Sequence, residues 1–226
     1  HRIAGGETTP ISEYPFSVAL LTNSGQGSYT HACGGAILTN NAILSAASCF
    51  YTNQEANPVS WWRARVGSSG SNAGGTIYFI NRITANPGFS PTTLANDIAV
   101  IRTTLAIPLV PGSVEVARVA GAAFTFTTNQ INQDQSSSAE LRKVDLYVVD
   151  QQTCTNRYNE IGFTVTGDMV CAGWLDVGGD SGSPILSDRT VVGVFSKSEG
   201  CAQGWYPAIN TRLAPYLSWV VSAAYA

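Results

Sequence analysis

Cys33-Gly34-Gly35-Ala36-Ile37-Leu38 and, a few residues on, Leu44-Ser45-Ala46-Ala47-Ser48-Cys49 form the stretch on which the reading of this chain turns. The centre of its first piece, Ala36-Ile37-Leu38, is a short β-rich run. Runs of the same kind recur on either side: Phe16-Ser17-Val18-Ala19-Leu20-Leu21, Ala64-Arg65-Val66, Ile98-Ala99-Val100-Ile101, Val144-Asp145-Leu146-Tyr147-Val148-Val149 and Thr190-Val191-Val192-Gly193-Val194-Phe195. Glycine, proline, asparagine and serine separate them. Short strands at such spacing predict a sandwich or barrel rather than βαβ units. The tail differs. Leu213, Tyr216, Leu217 and Val220 recur at helical spacing after Pro215, which suits a helix's first turn, so a C-terminal amphipathic helix is expected against the β body. The polar, low-complexity stretch from Gln130 to Ser138 reads as a mobile loop.

The 226 residues fit one large all-β unit or two small ones. With 12% of residues charged and 44% hydrophobic, the composition argues against disorder. A net charge of −3 gives no reason to expect nucleic acid or an anionic membrane as partner. No apolar run approaches the roughly 18 residues that span a bilayer, so a soluble protein is expected. The five cysteines are Cys33, Cys49, Cys154, Cys171 and Cys201, and His31 is the one histidine beyond His1. No spacing among them reads as a zinc knuckle or a Cys-x-x-Cys redox pair, so neither metal nor cofactor is expected. A disulfide framework in an oxidising compartment fits better. The odd count leaves one thiol free or paired outside the chain. No signal peptide precedes His1-Arg2, as expected of a secreted protein whose signal has been removed.

Widely spaced motifs carry a family likeness. They are Arg2-Ile3-Ala4-Gly5-Gly6, the Cys33 to Cys49 stretch, Asn96-Asp97-Ile98-Ala99-Val100, and Gly179-Asp180-Ser181-Gly182-Ser183-Pro184. Together and in this order they resemble the trypsin/chymotrypsin family of serine proteases. The resemblance implies an all-β fold of two six-stranded antiparallel β-barrels with a C-terminal α-helix, forming a single unit over 1–226 with halves at about 1–110 and 111–226. It implies disulfides Cys33–Cys49 and Cys154–Cys171. It also implies an activation bond between Arg2 and Ile3, and an activation pocket in which Asp180 receives the freed Ile3 amine or, in a precursor, pairs with His31. Asp97 and Ser181 would be triad members, with the amides of Gly179 and Ser181 forming the oxyanion site.

The chemistry of such a site needs a base. A neutral imidazole takes the serine proton and later hands it to the leaving amine. Ser48 stands where the family pattern has that histidine, and a hydroxyl cannot accept a proton near neutral pH. His31 lies in a strand-like run two residues before Cys33, where the family fold keeps it away from Ser181 and Asp97. Further departures agree. The family's loop before Gly-Asp-Ser-Gly is missing from this sequence, either deleted or unseen, and with it the partner expected for Cys201. The Gly-Trp-Gly turn is absent between Phe124 and Ser138. Ser196-Lys197-Ser198 stands for Ser-Trp-Gly, whose backbone would pair with substrate. Pro207-Ala208 stands for Pro-Gly, and Ser183 for a glycine.

The leading expectation is a secreted, catalytically inactive homologue that binds a protein through loops around the old cleft, the partner being a protease, an inhibitor or an immune component. One alternative is a precursor whose triad histidine was replaced at Ser48, naturally or by engineering. Another is a storage or structural protein.

Overall fold

The computed structural model describes residues 6–23, 27–128, 131–137, 139–173, 180–199 and 205–226, and for 131–137 the course of the backbone. Period-two alternation builds the first sheet. In Trp62–Val66 the residues Trp62, Ala64 and Val66 are buried while Arg63 and Arg65 point outward. Six strands, β1 (Ser17–Thr22), β2 (Thr30–Thr39), β3 (Ala42–Ser45), β4 (Trp62–Val66), β5 (Thr76–Ala85) and β6 (Ala99–Thr103), close a barrel in the order β1-β2-β3-β6-β5-β4. Closure removes both sheet edges. Leu20, Ile37, Ile43, Leu44, Ile98 and Ile101 fill its interior, and Phe50 meets Trp62 edge to face at 4.7 Å between ring centroids.

The second half is an eight-stranded curled sheet. Its main strands are β7 (Ile131–Ser137), β8 (Leu141–Val148), β9 (Met169–Gly173), β10 (Pro184–Ser187), β11 (Thr190–Lys197) and β12 (Ala208–Arg212). They run β8-β7-β10-β11-β12-β9, and a short β8–β9 pairing at Tyr147–Gly173 and Val148–Ala172 curls the sheet back on itself. Two short segments complete the eight: Glu7–Thr8 on β8, and Arg118–Val119 parallel to β11. The halves therefore differ, one a closed barrel and the other a half-barrel sheet with added edge segments. The polar stretch read as a loop is instead strand β7, through Ser136 and Ser137. It is held by backbone pairing to β8 along its length and to β10 at Gln133 and Asp134. Ladder bonds need no particular side chain, so a polar composition does not preclude a strand between two partners.

Two helices finish the fold. α1 (Gln151–Asn159) starts where Asp150 accepts hydrogen bonds from the Thr153 amide and hydroxyl, at 2.9 and 3.0 Å. It buries Cys154 and Tyr158 only, one turn apart. So thin an apolar stripe explains why periodicity does not reveal it. Cys154 is bonded to Cys171 of β9, and the Tyr158 hydroxyl donates to Pro207 O at 2.7 Å. The expected C-terminal helix is α2 (Leu217–Tyr225), entered through a 3₁₀ turn that holds Pro215. Val220, Ala223 and Ala224 pack on the first barrel, and Arg102 of β6 donates to Ala224 O at 2.7 Å. The end of the chain thus fastens the second half to the first.

The two sheets also meet backbone to backbone. Gly34 N donates to Ser181 O at 2.9 Å, and a Cβ on Gly34 would lie 2.3 Å from Ser183 Oγ. Gly182 has φ +86°, and a Cβ there would lie 2.1 Å from Ser45 Oγ and 2.5 Å from Gly34 O. Strain and overlap act together, so Gly182→Ala should lower unfolding stability by at least about 1–3 kcal/mol. Urea denaturation monitored by tryptophan fluorescence checks this, and an unchanged midpoint would contradict the seam.

Candidate functional site

Ser48 opens the 3₁₀ turn Ser48–Phe50 that follows β3, and the Cys33–Cys49 disulfide ties this turn to β2. Asp97 sits just ahead of β6 and is fully buried. Its carboxylate is surrounded by donors. The Ser48 amide donates to Oδ1 at 2.7 Å, the Ser48 hydroxyl to Oδ2 at 2.8 Å, and the Ser196 hydroxyl also to Oδ2. The Ala47 amide adds a further bond. Burial pushes the Asp97 carboxyl above the usual carboxylate range, and these donors oppose the shift. From the second sheet, Thr211 Oγ1 donates to Asp97 O at 2.8 Å. Next door, Asn96 N donates to Asp168 Oδ2 at 2.9 Å and the Tyr216 hydroxyl to Asn96 Oδ1 at 2.7 Å.

Ser181 follows the buried Asp180 on a tight turn. Ser183 N donates to Asp180 O at 3.0 Å and Gly182 N to Phe195 O at 2.8 Å. The Ser181 hydroxyl donates to Ser196 O at 2.9 Å. A cleft of about 270 Å³ lies between the halves, lined by Ser48, Cys49, Ala32, Cys33, Leu94, Asp180, Ser181 and Ser196. Among the described residues, no histidine or lysine lines it. All three serine protons are committed, those of Ser48 and Ser196 to a carboxylate and that of Ser181 to a carbonyl, so the cleft meets their lone pairs.

His31 is placed elsewhere. Its Nε2 lies 3.0 Å from Cys33 O, and because a carbonyl only accepts, Nε2 carries the proton. Nδ1 lies 3.7 Å from Asp180 Oδ2, with the two side chains 13% and 3% exposed. Burial holds the imidazole below its ordinary value, outweighing the Asp180 charge and the Cys33 carbonyl, which push it up.

The structure thus places Ser48 and Ser181 on the cleft wall, with Asp97 buried behind Ser48 and Ser196, and brings His31 Nδ1 within 3.7 Å of Asp180. Arg2, Ile3, Gly179 and Cys201 lie outside the described residues. Sequence reasoning treated Ser196 only as part of an altered segment and missed its bond to Asp97. A bulge in the β11–β12 pairing at Ser196, between the Phe195–Asn210 and Lys197–Ile209 partners, accompanies that bond. No local sequence signal marks it. Beside it, the Lys197 ammonium pairs with Glu199 at 3.0 Å and lies 4.6 Å from the Phe163 ring centroid.

A barrel and a curled sheet facing each other across a Ser–Asp cleft define a serine-protease-like fold. The family model described as Trypsin matches residues 3–220, and the chain belongs to the trypsin family. "Trypsin, alkaline A" of Manduca sexta is 41% identical, with 97% of this chain and 90% of that protein covered. "Trypsin CFT-1" of Choristoneura fumiferana is 37% identical, with 99% and 91% covered. Each alignment is longer than this chain, at 234 and 238 positions against 226 residues, so these relatives carry segments that it lacks. Among solved structures, the scabies mite inactivated protease paralogue S-I1 superposes with a TM-score of 0.84 at 24% identity, covering 96% of this chain and 97% of that one. Paralogue S-D1 gives 0.83 at 24%, covering 96% and 95%. At that identity the likeness concerns the fold.

The geometry makes Ser48 a donor that Asp97 needs. Ser48→Ala should therefore cost about 1.5–3 kcal/mol of stability, the range for a hydrogen bond to a charged group, measured by urea denaturation. His31 gives a pH test. A histidine held below its ordinary 6.5 binds more protons unfolded than folded, so its contribution is complete above about pH 6.5 and lost as pH falls below it. The unfolding free energy should decline between pH 7 and pH 5.5 by up to about 1.4 kcal/mol per pH unit. His31→Gln, which retains a donor for Cys33 O, should flatten that decline.

Proposed function

We propose that this protein is a secreted, catalytically silent member of the trypsin family that acts by binding another protein. One observation carries the reading: the Ser48 hydroxyl, at the position where the family resemblance expects the proton acceptor, is itself a donor to Asp97. Ser181 is positioned as a nucleophile, but its proton rests on the Ser196 carbonyl, which is no base. Loss of the histidine from a comparable triad costs about 10⁶-fold in turnover. The segment that would pair with substrate supports the same reading, because Lys197 is drawn to Glu199 and Phe163 and Ser198 adds a side chain where the family has glycine. The two disulfides favour an oxidising, extracellular setting.

A second reading, a precursor conformation, is favoured by the approach of His31 to Asp180. In it a protonated His31 would offer its Nδ1–H to Asp180 while the Arg2–Ile3 bond is uncut, and cleavage would supply the Ile3 amine instead. The readings are compatible, since a silent homologue can retain a precursor's activation pocket. The names of the curated relatives favour an enzymatic ancestor, and the change at Ser48 separates this chain from one.

Amidase assays on arginine and lysine p-nitroanilides decide the matter, before and after cleavage behind Arg2. The protein should show at most a rate about 10³–10⁴ over water, a remnant known from related triads rather than measured on this chain. Ser48→His should raise that rate if the rest of the site is intact. Turnover at the level of a digestive trypsin, abolished by Ser181→Ala in the unaltered protein, would overturn the proposal.

A further inference from the structure

The outer wall of the first barrel, away from the cleft, has an unusual make-up. Strands β4, β5 and β6 carry Arg63, Arg65, Arg82 and Arg102 and no carboxylate. Between residues 14 and 114 the acids are Asp97, which is buried, and Glu55. Glu55 lies on a hairpin whose Tyr51 meets Phe89 edge to face, and it forms no ion pair among the described residues. Three of the arginines donate to backbone carbonyls. Arg65 donates to Ser71 O at 2.9 Å and to Gly74 O, and Arg102 to Ala224 O. Arg63, the third, donates to Ser60 O at 3.3 Å, and it and Arg82 face outward.

Arg63 is held rigidly. Its guanidinium lies 3.9 Å from the Phe79 ring centroid and 4.7 Å from that of Tyr29, and it donates to Trp62 O at 2.8 Å. Its cross-strand partner Phe79 is 60% exposed, and Ile77 beside it is 45% exposed. Arg82 is exposed, has no hydrogen bond or ion pair among the described residues, and stands directly opposite Arg102 on β6. Like charges in that register repel, and an approaching anion would relieve the repulsion. An exposed aromatic, a pre-ordered arginine and a free cation on a rigid sheet form the chemistry of an interface hot spot.

We propose that the Tyr29–Arg63–Ile77–Phe79–Arg82 face is a docking site for an acidic peptide segment of a partner protein, with an aromatic or aliphatic anchor on Phe79 and Ile77 and carboxylates on Arg63 and Arg82. Charge complementarity sets the acidic character. The exposed apolar side chains favour a protein segment over a sulfated polysaccharide, which has nothing to place on them. The net charge of −3 on the whole chain likewise disfavours long polyanions and leaves this local positive face for a short segment. None of these five residues lines the cleft, so the fate of this proposal is independent of whether the protein is catalytically silent.

Selection of a phage-displayed random twelve-residue peptide library on the full chain tests it, followed by fluorescence anisotropy with the selected peptides in synthetic form. Selected peptides should carry two or more carboxylates flanking an aromatic or aliphatic residue. They should lose at least tenfold in affinity on Phe79→Ser and on Arg82→Glu, and weaken between 50 and 200 mM salt. Both positions are exposed, so both variants should retain the parent's melting temperature; if one does not fold, Ile77→Thr serves in its place. Peptides without acidic enrichment, or binding indifferent to these changes, would overturn the proposal. So would heparin or phosphatidylserine vesicles binding through Arg82 with no loss on Phe79→Ser, which would assign the face to a polyanion.

Discussion

A carboxylate with no exposure to water has to be met by protein donors, and in this molecule the buried Asp97 sets that requirement at the place where the two halves join. Removing a charge from water costs several kcal/mol even after relaxation, and the cost is recovered only when the surrounding donors are correctly placed. The first barrel supplies the Ser48 amide and hydroxyl and the Ala47 amide. The second sheet supplies the Ser196 hydroxyl, and Thr211 bonds to the Asp97 carbonyl. Neither half satisfies this group alone. The bulge at Ser196, the 3₁₀ turn at Ser48 and the disulfide behind it all place donors around the same two oxygens.

Seen this way, Asp97 has a structural role whether or not any proton is ever transferred. The Ser48 hydroxyl donates to Oδ2, so on the reading that it replaces an imidazole the carboxylate keeps a donor there. Loss of Asp97 itself would leave the hydroxyls of Ser48 and Ser196 and the amides of Ser48 and Ala47 without their acceptor. These contacts can therefore hold an aspartate at this position by structure alone, with no catalytic partner required. The same logic covers Ser181, whose carbonyl receives Gly34 N across the seam while its hydroxyl is satisfied by Ser196 O.

The all-β character, the C-terminal helix and the family were legible from the chain because they rest on local patterns: short β-rich runs, helical spacing after Pro215, and motifs with fixed internal order. The grouping of Asp97, Ser48 and Ser181 was legible only through the family resemblance, since residues so far apart in sequence carry no local sign of contact. What stayed hidden depends on partners distant in sequence. Strand β7 is polar and is made by its neighbours on both sides, α1 buries only two side chains, and Ser196 meets Asp97 beside a bulge that appears only once β11 is paired with β12. The unequal halves belong with these, because the short Glu7–Thr8 and Arg118–Val119 strands exist through pairing alone.

A fold held by such a seam is free to change function at its surface. The interlocking contacts consume the polar groups of the cleft: the Ser48 and Ser181 protons, both Asp97 oxygens and the Ser196 hydroxyl are all committed inward. Little remains there to recognise a ligand beyond lone pairs and shape. The outer wall of the first barrel is the reverse case. Its closed ring of strands satisfies the backbone, the interior is filled by aliphatic side chains, and the outward positions of β4 and β5 are left unconstrained by either. Where folding makes no demand, side chains answer to other pressures. The exposed Phe79 brings the fold only the modest gain of its contact with Arg63, and Arg82 stands opposite Arg102 with no ion pair among the described residues. Their placement on a rigid sheet, rather than on a loop, gives them the fixed geometry that a binding surface needs.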